Sequence, residues 1–292
     1  MVGGVIDLTP GSPEWAKRVT ASKVAAILGL SPFSSPRATW HLMHGDLLVW
    51  EGSDATRRGQ FLESGVLAWW RHKHDVTDPA EWAEQPTYTL GTWAAATPDL
   101  VSHIAETDHE NVLVDAKTTS DFEWAEVPVH YYAQALWAMH VSGIHEFRFA
   151  VLHGGLRFEE YVVEYDAELA AGIEARCRAF YDSLTADEPP PLDDSVATWE
   201  AVRKVHPDIE PKAEVELTEQ QARALVEWAD ELKRTEAATR LAKSTVIDAM
   251  GRAQYATHNG VRIARRQNGA HGVTFVVVAK PDDLPDRKEN AA

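Results

Sequence analysis

Cysteine is almost missing from this chain of 292 residues, and the single Cys177 excludes an internal disulfide and a cysteine-rich metal centre. That usage fits a reducing interior better than an oxidising exterior. Long apolar runs are missing too: no stretch reaches the roughly eighteen residues that a membrane-crossing helix needs. Met1 to Pro10 has neither a basic flank nor an apolar core. The expectation is a cytoplasmic protein with no membrane contact and no secretory signal. Basic residues are in short supply, with 28 Lys and Arg against 45 Asp and Glu and a net charge of -17. Nucleic-acid backbones are bound by neutralising phosphates, so this balance excludes a protein that coats nucleic acid with its whole surface. A substrate held in a restricted groove remains open, with Lys17, Arg18, Lys23, Arg57 and Arg58 as a local basic track.

What is present is a large apolar fraction, 45%, with eleven Trp, enough to build one large domain or one domain with an appendage. Thr20 to Gly29 reads as a capped helix, and Pro36 opens a second. Asp54 to His74 reads as a long helix whose apolar face takes in Phe61, Leu62, Val66, Leu67, Trp69 and Trp70. Pro79 to Glu84 is loop-like. Pro86 to Leu90 reads as an edge strand, and strands are expected at Leu100 to Ile104, Val112 to Lys117, Phe147 to Leu152 and Leu156 to Tyr165. The acidic segment Glu106 to Asn111 reads as a hairpin loop. Val129 to Val141 is a strongly apolar helix stopped by Gly143, and Asp166 to Leu184 is another. Ala186 to Asp194 is a polar, proline-rich linker. Beyond it lie a short helix near Val196 to Val205, a long helix from Leu217 to Met250 with Thr218 and Gln221 at capping-box spacing, and a hairpin from Val261 to Val278. The organisation is thus a core over residues 12–190, an appendage over 195–280 and a charged tail over 281–292. A lid, an oligomer contact and a DNA-guiding appendage are all open readings of the second part.

The chemistry concentrates between Thr97 and Ser120. Asp115 and Lys117 sit two apart on one strand, so their side chains point to the same side of a sheet. Asp99 ends the neighbouring antiparallel strand. Two carboxylates and an ammonium so held make a site for a hard divalent cation and an activated water. Glu63, inside the apolar arc of its helix, needs a partner or a metal if it is buried; its alternative is a boundary residue facing water. The free N–H groups at the start of the first helix favour an anion, with ordinary capping as the alternative. The residues point to a metal-dependent hydrolase of phosphodiesters.

Taken together, Thr20-Ala-Ser22, Arg58-Gly-Gln-Phe-Leu-Glu63, Ala96-Thr-Pro-Asp99, Asp115-Ala-Lys117-Thr-Thr-Ser120 and Tyr132-Ala-Gln134 resemble the YqaJ-like viral recombinase nucleases. These belong, with phage lambda exonuclease, to the restriction-endonuclease-like PD-(D/E)XK superfamily. The ordered set is far more specific than any member. The resemblance implies an α/β fold, a mixed central sheet flanked by helices around an αβββαβ-like core. It implies that Asp99, Asp115 and Glu63 ligate Mg2+, with Mn2+ as substitute, that Lys117 orients or activates the attacking water, and that Gln134 positions the lysine, the water or the phosphate. Ser22, Arg18, Arg58 and Thr97 are the DNA or phosphate contacts it suggests. Three features depart from the family pattern: Asp115 where glutamate is common, Leu100 where glycine is frequent, and a shortened spacing to the arginine usual upstream of Thr20-Ala-Ser22, with only Lys17 and Arg18 nearby. The activity implied is a 5'-to-3' exonuclease on double-stranded DNA ends in phage-type recombination, encoded by a phage or prophage, with a single-strand annealing protein as partner and homo-oligomeric rings in some relatives. A structure- or site-specific endonuclease on the same core, and a catalytically inert DNA-binding scaffold, are the competing readings.

Overall fold

A seven-residue strand that turns from apolar to charged along its length, Val112–Thr118, lies at the centre of the main sheet. The computed structural model describes Leu8 and residues 12–48, 52–104, 111–269 and 272–284. The expected hairpin loop after Glu106 falls almost wholly outside the described residues, as does the tail from 285 onward. Two compact units are formed, Met1–Ile209 and Glu210–Ala292. In chain order the first holds α1 (Pro13–Ala16), β1 (Val19–Thr20), α2 (Ala21–Ile27), α3 (Pro36–His44), α4 (Asp54–Lys73), β2 (Trp82–Glu84), β3 (Tyr88–Leu90), β4 (Ala94–Ala96), β5 (Leu100–Ser102), β6 (Val112–Thr118), α5 (Val129–Ser142), β7 (Glu146–Leu152), β8 (Phe158–Glu164), α6 (Ala167–Ala186) and α7 (Val196–Val205). The second holds α8 (Glu219–Met250), β9 (Tyr255–His258), β10 (Val261–Gly269) and β11 (Gly272–Val277).

The main sheet has the order β2-β5-β6-β7-β8, antiparallel except for the parallel pair β6 and β7 that α5 connects. Its two faces are covered by different helices. Leu113, Phe147, Phe149 and Val151 meet Leu136, Trp137 and Met139 of α5, while Leu100, Val112, Val114 and Ala150 meet Val66, Leu67 and Trp70 of α4. Helix α5 is apolar nearly all round because it is buried nearly all round. Trp137 donates its indole N–H to the Ala95 carbonyl at 3.1 Å, which ties α5 to the second sheet, β1-β4-β3. The three consecutive alanines of β4 are buried and leave room for that approach.

Several expectations are corrected. The stretch from Pro79 to Glu84 is not all loop: Trp82–Glu84 pairs with β5 and forms an edge of the main sheet. The edge strand expected over Pro86 to Leu90 is present as β3, at the edge of the smaller sheet. On α4, Phe61 is 83% exposed and Trp69 44%, so the buried stripe narrows to Val66, Leu67 and Trp70. Trp69 stacks on Phe158 at 5.0 Å between ring centres. Helix α7 lies in the first unit, where Thr198 donates to Ser35 at 2.7 Å. In the second unit, Tyr255–His258 is a strand that sequence patterning missed.

Gly154 follows β7 and its N–H bonds the Asp121 carbonyl at 2.8 Å, so it braces the segment leaving β6. A Cβ there would lie 2.6 Å from the Ser120 carbonyl oxygen. Gly154→Ala therefore displaces backbone rather than a flexible side chain, and is expected to cost about 1–3 kcal/mol; a denaturant midpoint equal to wild type would refute this.

Candidate active site

Strands β5 and β6 run antiparallel with Leu100 opposite Val114, so Asp99 and Asp115 occupy the next register position. There the ladder is replaced by side chains. Asp115 Oδ1 accepts from the Asp99 backbone N–H at 3.1 Å, and Asp99 Oδ2 accepts from the Ala116 N–H at 2.8 Å. Each carboxylate thus satisfies a backbone donor of the other strand. Asp115 Oδ2 takes the other contacts: Lys117 Nζ donates at 3.0 Å and Gln134 Nε2 at 2.6 Å. The alternation of β6 places Asp115 and Lys117 on the α5 side, which is why a helix that packs the core also delivers Gln134. Tyr131, one turn earlier on α5, lies with its ring 5.3 Å from the ammonium.

Glu63 reaches the same neighbourhood from α4. Its Oε1 accepts from Gln85 Nε2 at 3.4 Å, and its carboxylate feels the charges of Asp115 and Lys117. Gln85 was not singled out from the sequence. It holds positive φ, 48°, and its N–H bonds the Asp99 carbonyl at 3.0 Å. Its only signal was an amide just before Pro86 in an otherwise extended stretch.

The charges are strongly coupled. Burial, then the Asp115 charge, pushes the Asp99 carboxyl up to about 8. Burial also raises Glu63. Burial alone would lower the Lys117 ammonium, but the Asp115 and Asp99 charges and the Asp115 hydrogen bond outweigh it and raise it. Two clustered carboxylates with one ammonium leave negative charge that a hard dication would offset, and oxygen donors suit Mg2+ or Mn2+. Among the described residues no three His, Cys, Asp or Glu side chains are gathered as a ready metal cage. Asp99 and Asp115 are the built pair, with Glu63 held beside them by Gln85.

The expected phosphate contacts are more dispersed. Ser22 is exposed at the second position of α2, its hydroxyl 3.1 Å from that of Thr20. Arg58 is exposed on α4, next to Gly59, where an added Cβ would lie 3.8 Å from Thr118 Oγ1 at the end of β6. Thr97 shares a hydroxyl contact with Thr87 at 3.3 Å. Arg18 is buried and donates to the Gly91 carbonyl at 3.3 Å. The rest of the expected basic track is also engaged: Lys23 is buried against the Trp15, Ala16 and Arg18 carbonyls, Lys17 pairs with Glu14, and Arg57 pairs with Asp54.

A carboxylate pair with a strand lysine at the open end of a mixed sheet is the arrangement expected of a phosphodiester-cleaving domain. Residues 15–145 match the family model of the YqaJ-like viral recombinase domain, so the resemblance carried by the motifs holds over the segment that contains Ser22, Glu63, Asp99, Asp115, Lys117 and Gln134. Among solved structures, an alkaline exonuclease from Laribacter hongkongensis is similar at 20% identity, covering 61% of this chain and 94% of that one with a TM-score of 0.45. The same enzyme in complex with dAMP gives 19% identity, 60% and 92% coverage and a TM-score of 0.46. A phage-related exonuclease from Haemophilus somnus gives 13% identity, 58% and 96% coverage and a TM-score of 0.44. No curated protein matches the chain. Among the described residues no helix is long and apolar enough to cross a membrane.

The raised Asp99 fixes the sign of a pH effect. Below about pH 4, Asp99 is protonated in folded and unfolded chains alike; between 4 and about 8 the unfolded chain releases a proton that the folded site keeps, so stability falls as pH rises and levels above 8. Asp99→Asn, measured by thermal unfolding in chelator, should unfold at a higher temperature than wild type at pH 8, by about 2–4 °C per kcal/mol relieved. The gap should close towards pH 4. Identical pH slopes for the two proteins would refute the assignment.

Proposed function

We propose that the protein is a magnesium-dependent exonuclease that degrades double-stranded DNA from its ends in the 5'-to-3' direction, in phage-type recombination. The observation that carries this reading is the convergence of Asp115 on Lys117, Gln134 and the Asp99 backbone within one buried strand end. The YqaJ-like match over the same residues supports it.

Asp99, Asp115 and Glu63 would hold Mg2+, or Mn2+ in its place, which when bound supplies Lewis-acid stabilisation of charge developing on the scissile phosphate. This chain's own residues do the rest. Gln134 and Lys117 both donate to Asp115 Oδ2, which fixes the carboxylate's orientation. Lys117, beside Asp115 at the strand end, would orient or help activate the attacking water. Ser22, Arg58 and Thr97 would meet the DNA backbone around this centre. A single-strand annealing protein would take up the strand left behind, and a homo-oligomer would keep the enzyme on its substrate.

An end-labelled linear duplex and a closed circular duplex, each with Mg2+, test the reading together. Wild type should degrade the linear substrate from its 5' ends and spare the circle, and Lys117→Ala should lower the rate by at least about 100-fold. Equal cleavage by wild type and variant would remove the proposed site, and cleavage of the circle would favour the endonuclease reading.

A further inference from the structure

In a chain of net charge -17, residues 249–280 contain no Asp or Glu, and they carry Arg252, Arg262, Arg265, Arg266 and Lys280. This acid-free stretch folds into the three-stranded sheet β11-β10-β9 of the second unit. Asp248 bounds it on one side, and Asp282 and Asp283 on the other.

Arg262 and Arg265 are three apart, which on a regular strand would send them to opposite faces. The pairing of β10 with β9 shifts register between Arg262 and Ala264, with Arg262 opposite Thr257 and Arg265 opposite Tyr255. This bulge puts one extra residue into β10 and brings both arginines to the face that Tyr255 shares. The Arg262 guanidinium lies over the Tyr255 ring at 4.4 Å, which fixes that face. Gln267 and Thr274, opposite one another across β10 and β11, continue it with exposed polar side chains, and Val276, opposite Arg265, adds an exposed apolar one. Tyr255, Thr257, Arg262, Arg265, Gln267 and Thr274 are all exposed. On the other face Ala264 is 1% exposed and Arg266 turns its guanidinium to the Gly251 carbonyl at 2.5 Å, while Val273 and Val277 are exposed.

We infer that the Arg262–Arg265–Tyr255 face of this sheet is a second DNA-binding surface, one that takes the phosphate backbone of duplex DNA. A cationic face with polar hydrogen-bonding side chains, an aromatic ring and no carboxylate in its own sequence is complementary to a polyanion. The bulge serves to gather the two guanidiniums. This inference rests on the reading of duplex DNA as substrate. It also adds to a small supply: of the basic track in the first unit, Arg18 and Lys23 are buried on backbone carbonyls and Lys17 and Arg57 pair with Glu14 and Asp54, which leaves Arg58.

The test uses the full-length chain in chelator, where binding is read without turnover, and a fluorescent 40-base-pair duplex titrated across a range of salt. Arg262→Gln/Arg265→Gln should weaken binding by at least about tenfold at moderate salt and reduce the salt slope by about two, the value for two lost phosphate contacts. Arg262→Lys/Arg265→Lys should recover most of the affinity, which separates charge from folding. Arg223→Gln/Arg234→Gln, the same charge change on exposed positions of α8, should bind like wild type. Wild-type affinity and salt slope in the Arg262/Arg265 glutamine variant, or no binding by wild type, would overturn the inference. If wild type binds through these arginines but cleaves nothing with Mg2+, the exonuclease reading falls and this surface stands. If wild type cleaves and the glutamine variant binds equally well, only this surface falls.

Discussion

The exchange between Asp99 and Asp115 is the constraint on which the site depends. Where the β5–β6 ladder ends, each carboxylate takes a backbone N–H from the opposite strand, at 3.1 and 2.8 Å. The two carboxyl groups are thereby fixed next to each other at a buried strand end, and burial, with the Asp115 charge second to it, holds the Asp99 proton up to about 8. The fold thus maintains a local excess of negative charge that only a cation or a proton relieves. Lys117 supplies part of the compensation, and its own charge is locked in as a result.

Core and site share one helix. Trp137 anchors α5 to the second sheet through Ala95, and Gln134, one turn earlier, reaches Asp115. The register that buries Trp137, Leu136 and Met139 is therefore the register that aims Gln134. On the opposite face of the sheet α4 does the same, packing Val66, Leu67 and Trp70 while Glu63, one turn before Val66 and Leu67, reaches towards the strand end. The positions of these functional groups are consequences of packing on a close-fitting core rather than of loop conformation.

Strand β6 was legible because two-residue alternation alone puts Asp115 and Lys117 on one side, and helix caps at Gly143 and Thr218 were legible from local chemistry. Glu63 was legible from its place inside the apolar arc of its helix, with a boundary residue as the alternative, whereas Gln134 was reached through its motif context; helix periodicity does not distinguish a buried polar contact from a boundary residue. Gln85 was invisible because its role comes from a positive φ and a contact across 22 residues to Glu63, neither of which local sequence encodes. Strand β2 was missed since three residues after a proline turn carry too little pattern, and its pairing with β5 is a tertiary effect. Phe61 and Trp69 were assigned to the apolar face because they are large and apolar, yet the width of a helix's buried stripe is set by what packs against it.

Charge distribution carries the same lesson from the opposite direction. A net charge of -17 reads as poor suitability for DNA, but electrostatic attraction acts locally within about 10 Å at moderate salt. Acidic residues over most of a surface repel a duplex from unproductive faces, so a few basic faces gain selectivity rather than lose it. The basic residues that look nearest to the candidate site in sequence are largely spent inside the first unit, on the Gly91, Trp15, Ala16 and Arg18 carbonyls and on Glu14 and Asp54. Those beyond residue 249 meet no acid in their own stretch, and a single bulge aligns two of them. The number of basic residues in a chain therefore says less about its capacity for DNA than how many of them are left unspent on internal carbonyls and neighbouring carboxylates.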